Sequence, residues 1–142
     1  MIYTQKTKLA QKLCYEKHHG QFDKSGVPYV FHPIHLAEQM EDEDTTIVAL
    51  LHDIIEDTDC TAELLYEMGF SERVVEAIML MTHKKGVDYM DYVREIAKNP
   101  IARAVKIADL KHNSDLTRLE AVDEKALKRR EKYLNALEFL EK

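Results

Sequence analysis

Only four glycines and three prolines interrupt 142 residues, and two of each fall in one segment, HHGQFDKSGVPYVFHP. Sandwiches and barrels of many short strands need turn residues at regular short intervals, which this chain does not supply. The remaining stretches are long and carry apolar residues at helical spacing, so an all-α bundle is expected. No internal repeat, low-complexity tract or interdomain linker divides the sequence, and its length suits one domain, 1–142.

About eight helices are expected from the apolar period and the start signals. The first runs from Thr4 to Lys17. The second covers His32 to Met40, with Pro33 in its first turn, where a missing N–H costs nothing. Asp44 or Thr45 is expected to cap a third helix, Thr46 to Glu56. Thr61 caps a fourth ending near Gly69, and Ser71 a fifth ending near Met81. Tyr89 to Lys98, Pro100 to Leu116 and Asp123 to Leu140 complete the set.

Two of these helices are unusual. In the third, Ile47, Leu50, Leu51, Ile54 and Ile55 form an apolar stripe, and Ala49, His52, Asp53 and Glu56 lie opposite. A solvated face usually mixes charge signs, yet Lys and Arg are absent here. Asp53, Glu56, Asp57 and Asp59 repel one another unless a cation sits among them. In the seventh, Ile101, Ala104, Val105 and Ala108 make one stripe while Ile107 and Leu110 point elsewhere, the pattern of a buried helix. Asp109 beside that stripe is costly unless it pairs with a Lys or Arg of another helix or binds a metal. Asn113 shares its face one turn on.

Charge and cysteine usage narrow the function. With 26 acidic and 20 basic side chains the net charge is −6, which argues against a protein that coats nucleic acid. Cys14 and Cys60 have neither metal-ligand spacing nor a disulfide pattern, so a reducing cytoplasm is the expected location. The polar start MIYTQKTKLAQKL does not read as a secretory signal, and no apolar run has membrane-spanning length.

A constellation of His-Pro at 32–33, His-Asp at 52–53 and Asp109, all on expected helices, mixes imidazole with carboxylate. Such donors suit a divalent transition ion better than a calcium or thiolate zinc site. On a continuous helix His52 and Asp53 diverge by about 100°, so both reach one ion only if it lies over the ridge between them.

The ordered motifs G-Q…K-S-G…P-Y…H-P, then L-L-H-D-x-x-E-D-T, then A-D…H-N make the chain resemble the HD-domain hydrolase half of the RelA/SpoT alarmone enzymes. It also resembles their stand-alone small alarmone hydrolases. The resemblance implies an all-α HD bundle with His32, His52, Asp53 and Asp109 as ligands of a divalent metal, usually Mn2+; the donor chemistry itself also suits Fe or Co. It implies Glu56 and Asp57 as catalytic acids, Asn113 at the substrate, and Lys24 and Ser25 on a binding loop. The implied reaction removes pyrophosphate from the ribose 3′ position of ppGpp or pppGpp, a small nucleotide. Asp23 departs from the pattern, standing where these enzymes commonly carry an arginine. Two alternatives therefore accompany the reading: an HD hydrolase of another nucleotide or phosphorylated metabolite, and a non-catalytic nucleotide-binding module.

Hydrolysis of a phosphoester suits these residues. A divalent ion activates water and offsets phosphate charge, and a carboxylate beside it orients the water or takes its proton. Glu56, one turn beyond His52 and Asp53, is the expected activator, with Asp57 sharing the role or supporting it. His18, His19, His35, His83 and His112 are expected at the surface or behind the site. The run Lys128, Arg129, Arg130 offers a phosphate contact, but it sits among Glu124, Glu131 and Glu138, so a charge-laced outer face is expected.

Overall fold

The computed structural model describes residues 1–142 and is helical throughout, with one isolated bridge between Phe22 and Pro28. The α-helices are α1 (Gln5–His18), α2 (Phe31–Glu38), α3 (Glu43–Leu51), α4 (Ile54–Asp57), α5 (Ala62–Glu67), α6 (Glu72–Met81), α7 (Tyr89–Ala97), α8 (Pro100–Asn113) and α9 (Glu124–Glu141). A 3-10 turn, Leu116–Arg118, joins α8 to α9.

Side-chain caps define most of the starts. Thr4 and Thr7 form a reciprocal capping box on α1. Thr61 accepts from Leu64 N–H and Ser71 from Val74 N–H, as expected from the sequence. Asn99 accepts from the N–H groups of Ile101 and Ala102 behind Pro100. The cap of α3 is Asp42, not Asp44 or Thr45. Its carboxylate takes both the N–H and the hydroxyl of Thr45, so the helix starts a turn earlier than expected.

Helix α3 is the centre of the bundle. It packs on α1, α2, α6 and α8, and every residue from Thr45 to Leu51 is buried. Its expected polar side is therefore not a solvated one: Val48 and Ala49 are as enclosed as Leu50 and Leu51. The core around it gathers 28 buried side chains from most of the helices. Helix α8, apolar on several sides, packs on α3, α6, α7 and α9 and carries Lys106 and Asp109 inside.

Two expected helices are divided. The third does not run unbroken to Glu56. Asp53 adopts φ −103° and ψ 4°, outside α geometry, and the chain restarts as the single turn α4. The seventh ends at Asn113 rather than Leu116, because Asp115 accepts from Thr117 N–H and opens the 3-10 turn.

The central place of α3 has a measurable consequence. Leu50→Ala removes a fully buried side chain in contact with several helices and should lower the unfolding free energy by about 2–5 kcal/mol in urea denaturation. A loss well under about 1 kcal/mol would show that α3 is not the enclosed centre.

Candidate metal and phosphate site

The break after α3 brings His52 and Asp53 together. His52 Nε2 lies 3.1 Å from Asp53 Oδ2 and 3.5 Å from Asp109 Oδ1. From α2, His32 places its Nε2 2.8 Å from the same Asp109 oxygen. Ligand atoms of His32, His52 and Asp109 all fall within 4.8 Å of one another, and all three residues are buried. Asp53 groups instead with Glu56 and Asp57 within the same limit, so its carboxylate stands between the two clusters.

Protonation of His52 follows from its neighbours. Its Nδ1 is 2.8 Å from the Ala49 carbonyl, which can only accept, so Nδ1 carries the proton. In the neutral imidazole Nε2 then presents a lone pair. It is buried, has no hydrogen-bond partner, and faces two carboxylate oxygens. A buried lone pair aimed at anions is unfavourable unless a cation lies between them. The donor set, two imidazoles with carboxylates, fits a divalent transition ion.

Asp109 divides its charge between two partners. Oδ2 is 2.9 Å from Lys106 Nζ, and Oδ1 accepts from Asn113 Nδ2 at 3.0 Å while facing His32 and His52. Burial raises its pKa, but Lys106 and then the hydrogen bond from His32 outweigh that and hold the carboxyl well below the usual range. The ion-pair partner is thus on the same helix, three residues back, and not on another helix, as the ion-pair alternative had it. For Asp53, burial and then the Asp109 and Asp57 charges push the pKa well above the usual value. The Tyr29 hydroxyl donates to its Oδ2.

The acid pair lies at the mouth of this cluster. Glu56 and Asp57 are exposed on α4. Glu56 Oε1 accepts the His83 backbone N–H at 2.6 Å, which fixes one oxygen and leaves the other free.

Beside His32 opens a cavity of about 320 Å³. Lys24, Ser25 and Asn113, the expected binding residues, all line it, together with Tyr29, Arg118, Arg129 and Tyr133. Gly26, at φ +80°, turns the 23–27 loop in a conformation that side chains disfavour. Asp23 Oδ1 accepts the N–H groups of Ser25 and Val27 inside that loop, and Ser25 Oγ donates to the Arg118 carbonyl at 2.7 Å. Asp23 Oδ2 is 3.8 Å from Arg118 Nη2. The aspartate is therefore a loop-forming residue whose charge is partly met by an arginine across the cavity. Burial first, and then Arg129, lowers the Lys24 pKa.

Several residues of this site were not expected to line it. Arg129 is on the cavity wall, not on an outer charged face. Arg118 and Tyr29 meet the site only through the turns that carry them. The Lys106–Asp109 pair, by contrast, has i, i+3 spacing that is visible in the sequence. His112 reaches His32 directly. Burial, then Arg118, His32 and His35, lowers its pKa to about 4, so it is neutral at neutral pH.

No family model matches the chain. Among curated relatives, it is 35% identical over 112 residues to a guanosine-3′,5′-bis(diphosphate) 3′-pyrophosphohydrolase of Aquifex aeolicus, covering 70% of this chain. It is 32% identical over 129 residues to a probable GTP pyrophosphokinase of Mycobacterium leprae, covering 82% of this chain. The chain spans 16% of the length of each of these relatives. A solved structure of a metazoan ortholog of SpoT, described as hydrolyzing ppGpp, superposes with a TM-score of 0.77 at 22% identity. That superposition covers 99% of this chain and 87% of the other, and it shows a shared fold. Fold, motif order and sequence similarity together place the chain in the HD-domain superfamily, among the hydrolase domains of RelA/SpoT type.

Proposed function

We propose that this chain is a single-domain, Mn2+-dependent phosphohydrolase of the cytoplasm that removes pyrophosphate from the 3′ position of a ppGpp-like nucleotide. The observation that carries the reading is the buried, unpartnered His52 Nε2 facing Asp53 and Asp109, beside a cavity lined by Lys24, Arg118 and Arg129. The named activity of the relatives supplies the substrate class.

His32, His52, Asp53 and Asp109 would hold the ion. Bound there, a divalent cation lowers the pKa of water and offsets phosphate charge. Lys24 and Arg129 would bind phosphate oxygens of the nucleotide, and Asn113 and Ser25 would orient it. Glu56, with one oxygen anchored on His83 N–H, uses the free oxygen to take the proton of the attacking water. The water oxygen bonds to the phosphorus on the ribose 3′ oxygen and the P–O bond to the ribose breaks; the 3′ oxygen takes a proton from solvent to become the hydroxyl of GDP, Glu56 returns its proton to solvent, and pyrophosphate is released. Asp57 supports Glu56 by charge. Tyr29, donating to Asp53, holds that carboxylate against its neighbours.

Two outcomes are expected. Purified protein with Mn2+ should release pyrophosphate and GDP from ppGpp. Asp53→Ala should abolish the release, and Glu56→Gln should lower kcat about 10²–10⁴-fold with metal content intact. Full turnover by Asp53→Ala would overturn the scheme, whereas unchanged turnover by Glu56→Gln would overturn only the activator. The second outcome concerns stability. At about 100 times its Kd, Mn2+ should add about 2.7 kcal/mol of stability, a rise in Tm of roughly 5–10 °C. Asp53→Asn removes one of several crowded charges, so it should raise the metal-free Tm while losing most of the Mn2+ increment. A lower metal-free Tm in that variant would show that Asp53 is not under electrostatic strain.

A further inference from the structure

His112 is the one histidine in contact with a proposed ligand that the scheme above leaves without a role. Its Nδ1 is 2.7 Å from His32 Nδ1. The two ring planes differ by 4° and their centroids are 5.0 Å apart. The nitrogen and centroid separations differ by about two ring radii, so the rings lie edge to edge in one plane. That is the arrangement in which an in-plane lone pair meets an in-plane N–H. On its other side His112 is covered by His35, with centroids 4.1 Å apart and planes at 28°. His35 therefore restrains the ring against rotation.

One proton fits between the two Nδ1 atoms, and its owner fixes what His32 offers to the site. If His112 holds it, His32 Nε2 keeps a proton and donates to Asp109 Oδ1, 2.8 Å away. If His32 holds it, Nε2 presents a lone pair to the space shared with His52 and Asp109. The Ala49 carbonyl fixes His52 in the ligand tautomer, because a carbonyl only accepts. An imidazole can do either.

We propose that His112 is a positioning residue that sets the tautomer of His32. With the site filled, it accepts from His32 Nδ1–H and leaves Nε2 free to bind the cation. Without a cation, it donates to Nδ1, and His32 Nε2–H bonds Asp109. The exchange balances. A proton leaves His32 Nε2, the proton between the rings moves from His112 to His32, and His112 gains one at its outer Nε2. Both imidazoles stay neutral before and after. The assignment rests on the reading of His32, His52 and Asp109 as a cation site.

The test is Mn2+ titration calorimetry on the full chain, with Tm measured in metal-free buffer for each variant. His112→Phe keeps a flat ring against His35 but has no in-plane acceptor. Mn2+ binding should weaken about 10–100-fold, the usual cost of losing the partner behind a ligand histidine. His112→Asn puts an amide oxygen near the position of Nδ1 and should restore binding close to that of the unaltered chain. Unchanged affinity in His112→Phe overturns the role of His112 alone. Equal weakening in both variants also overturns it, since packing rather than an acceptor would then be at work. No Mn2+ binding by the unaltered chain overturns the cation site itself, and the role of His112 with it.

Discussion

A carboxylate inside a helical core cannot be left uncompensated, and Asp109 is the group around which this molecule is arranged. It lies on α8, in contact with the central helix α3, with one oxygen on Lys106 and the other turned to His32, His52 and Asn113. Isolated burial of such a charge is prohibitive. The ion pair with Lys106 accounts for one oxygen. The other draws together side chains from α2, the α3–α4 break and α8, elements far apart in sequence. The site is thus a meeting point of the bundle rather than a decoration on its surface.

Electrostatic strain is concentrated on the opposite side of that point. Asp53, Glu56 and Asp57 crowd together, and His52 turns a lone pair toward two carboxylates. The cation-side imidazoles and the acid pair pull in different directions: the first group is buried and fixed, the second exposed and free to meet solvent and substrate. The cavity next to His32 continues the pattern, with Lys24, Arg118 and Arg129 as a cationic wall near an anionic centre. Under the proposed function a phosphorylated ligand approaches despite the acid excess of the chain, because that excess is partly the proposed cation-binding cluster itself.

Much of this was legible in the sequence. The helical period gave the bundle, and Thr61, Ser71 and Pro100 marked true starts. His-Asp at 52–53 with Asp109 marked the centre because those residues break the apolar pattern around them. The rest depended on backbone detail. No turn residue announces the helix break at Asp53, since His-Asp-Ile-Ile-Glu has no Gly or Pro. Adjacent residues expected to diverge therefore converge. Asp23 stands where the resembled enzymes commonly carry an arginine, but its carboxylate is used on the loop's own N–H groups. Arg129 looked like one member of a surface charge run. Only the way α9 lies across the cavity distinguishes it from Lys128 and Arg130.

The most direct test of a cation held by His32 and His52 is pulsed electron paramagnetic resonance of the Mn2+-loaded chain. Directly bound imidazole nitrogens should give strong 14N modulation, reduced in His52→Ala and again in His32→Ala. Bound Mn2+ with no 14N coupling would contradict the account, because the ion would then lie on the exposed carboxylates alone.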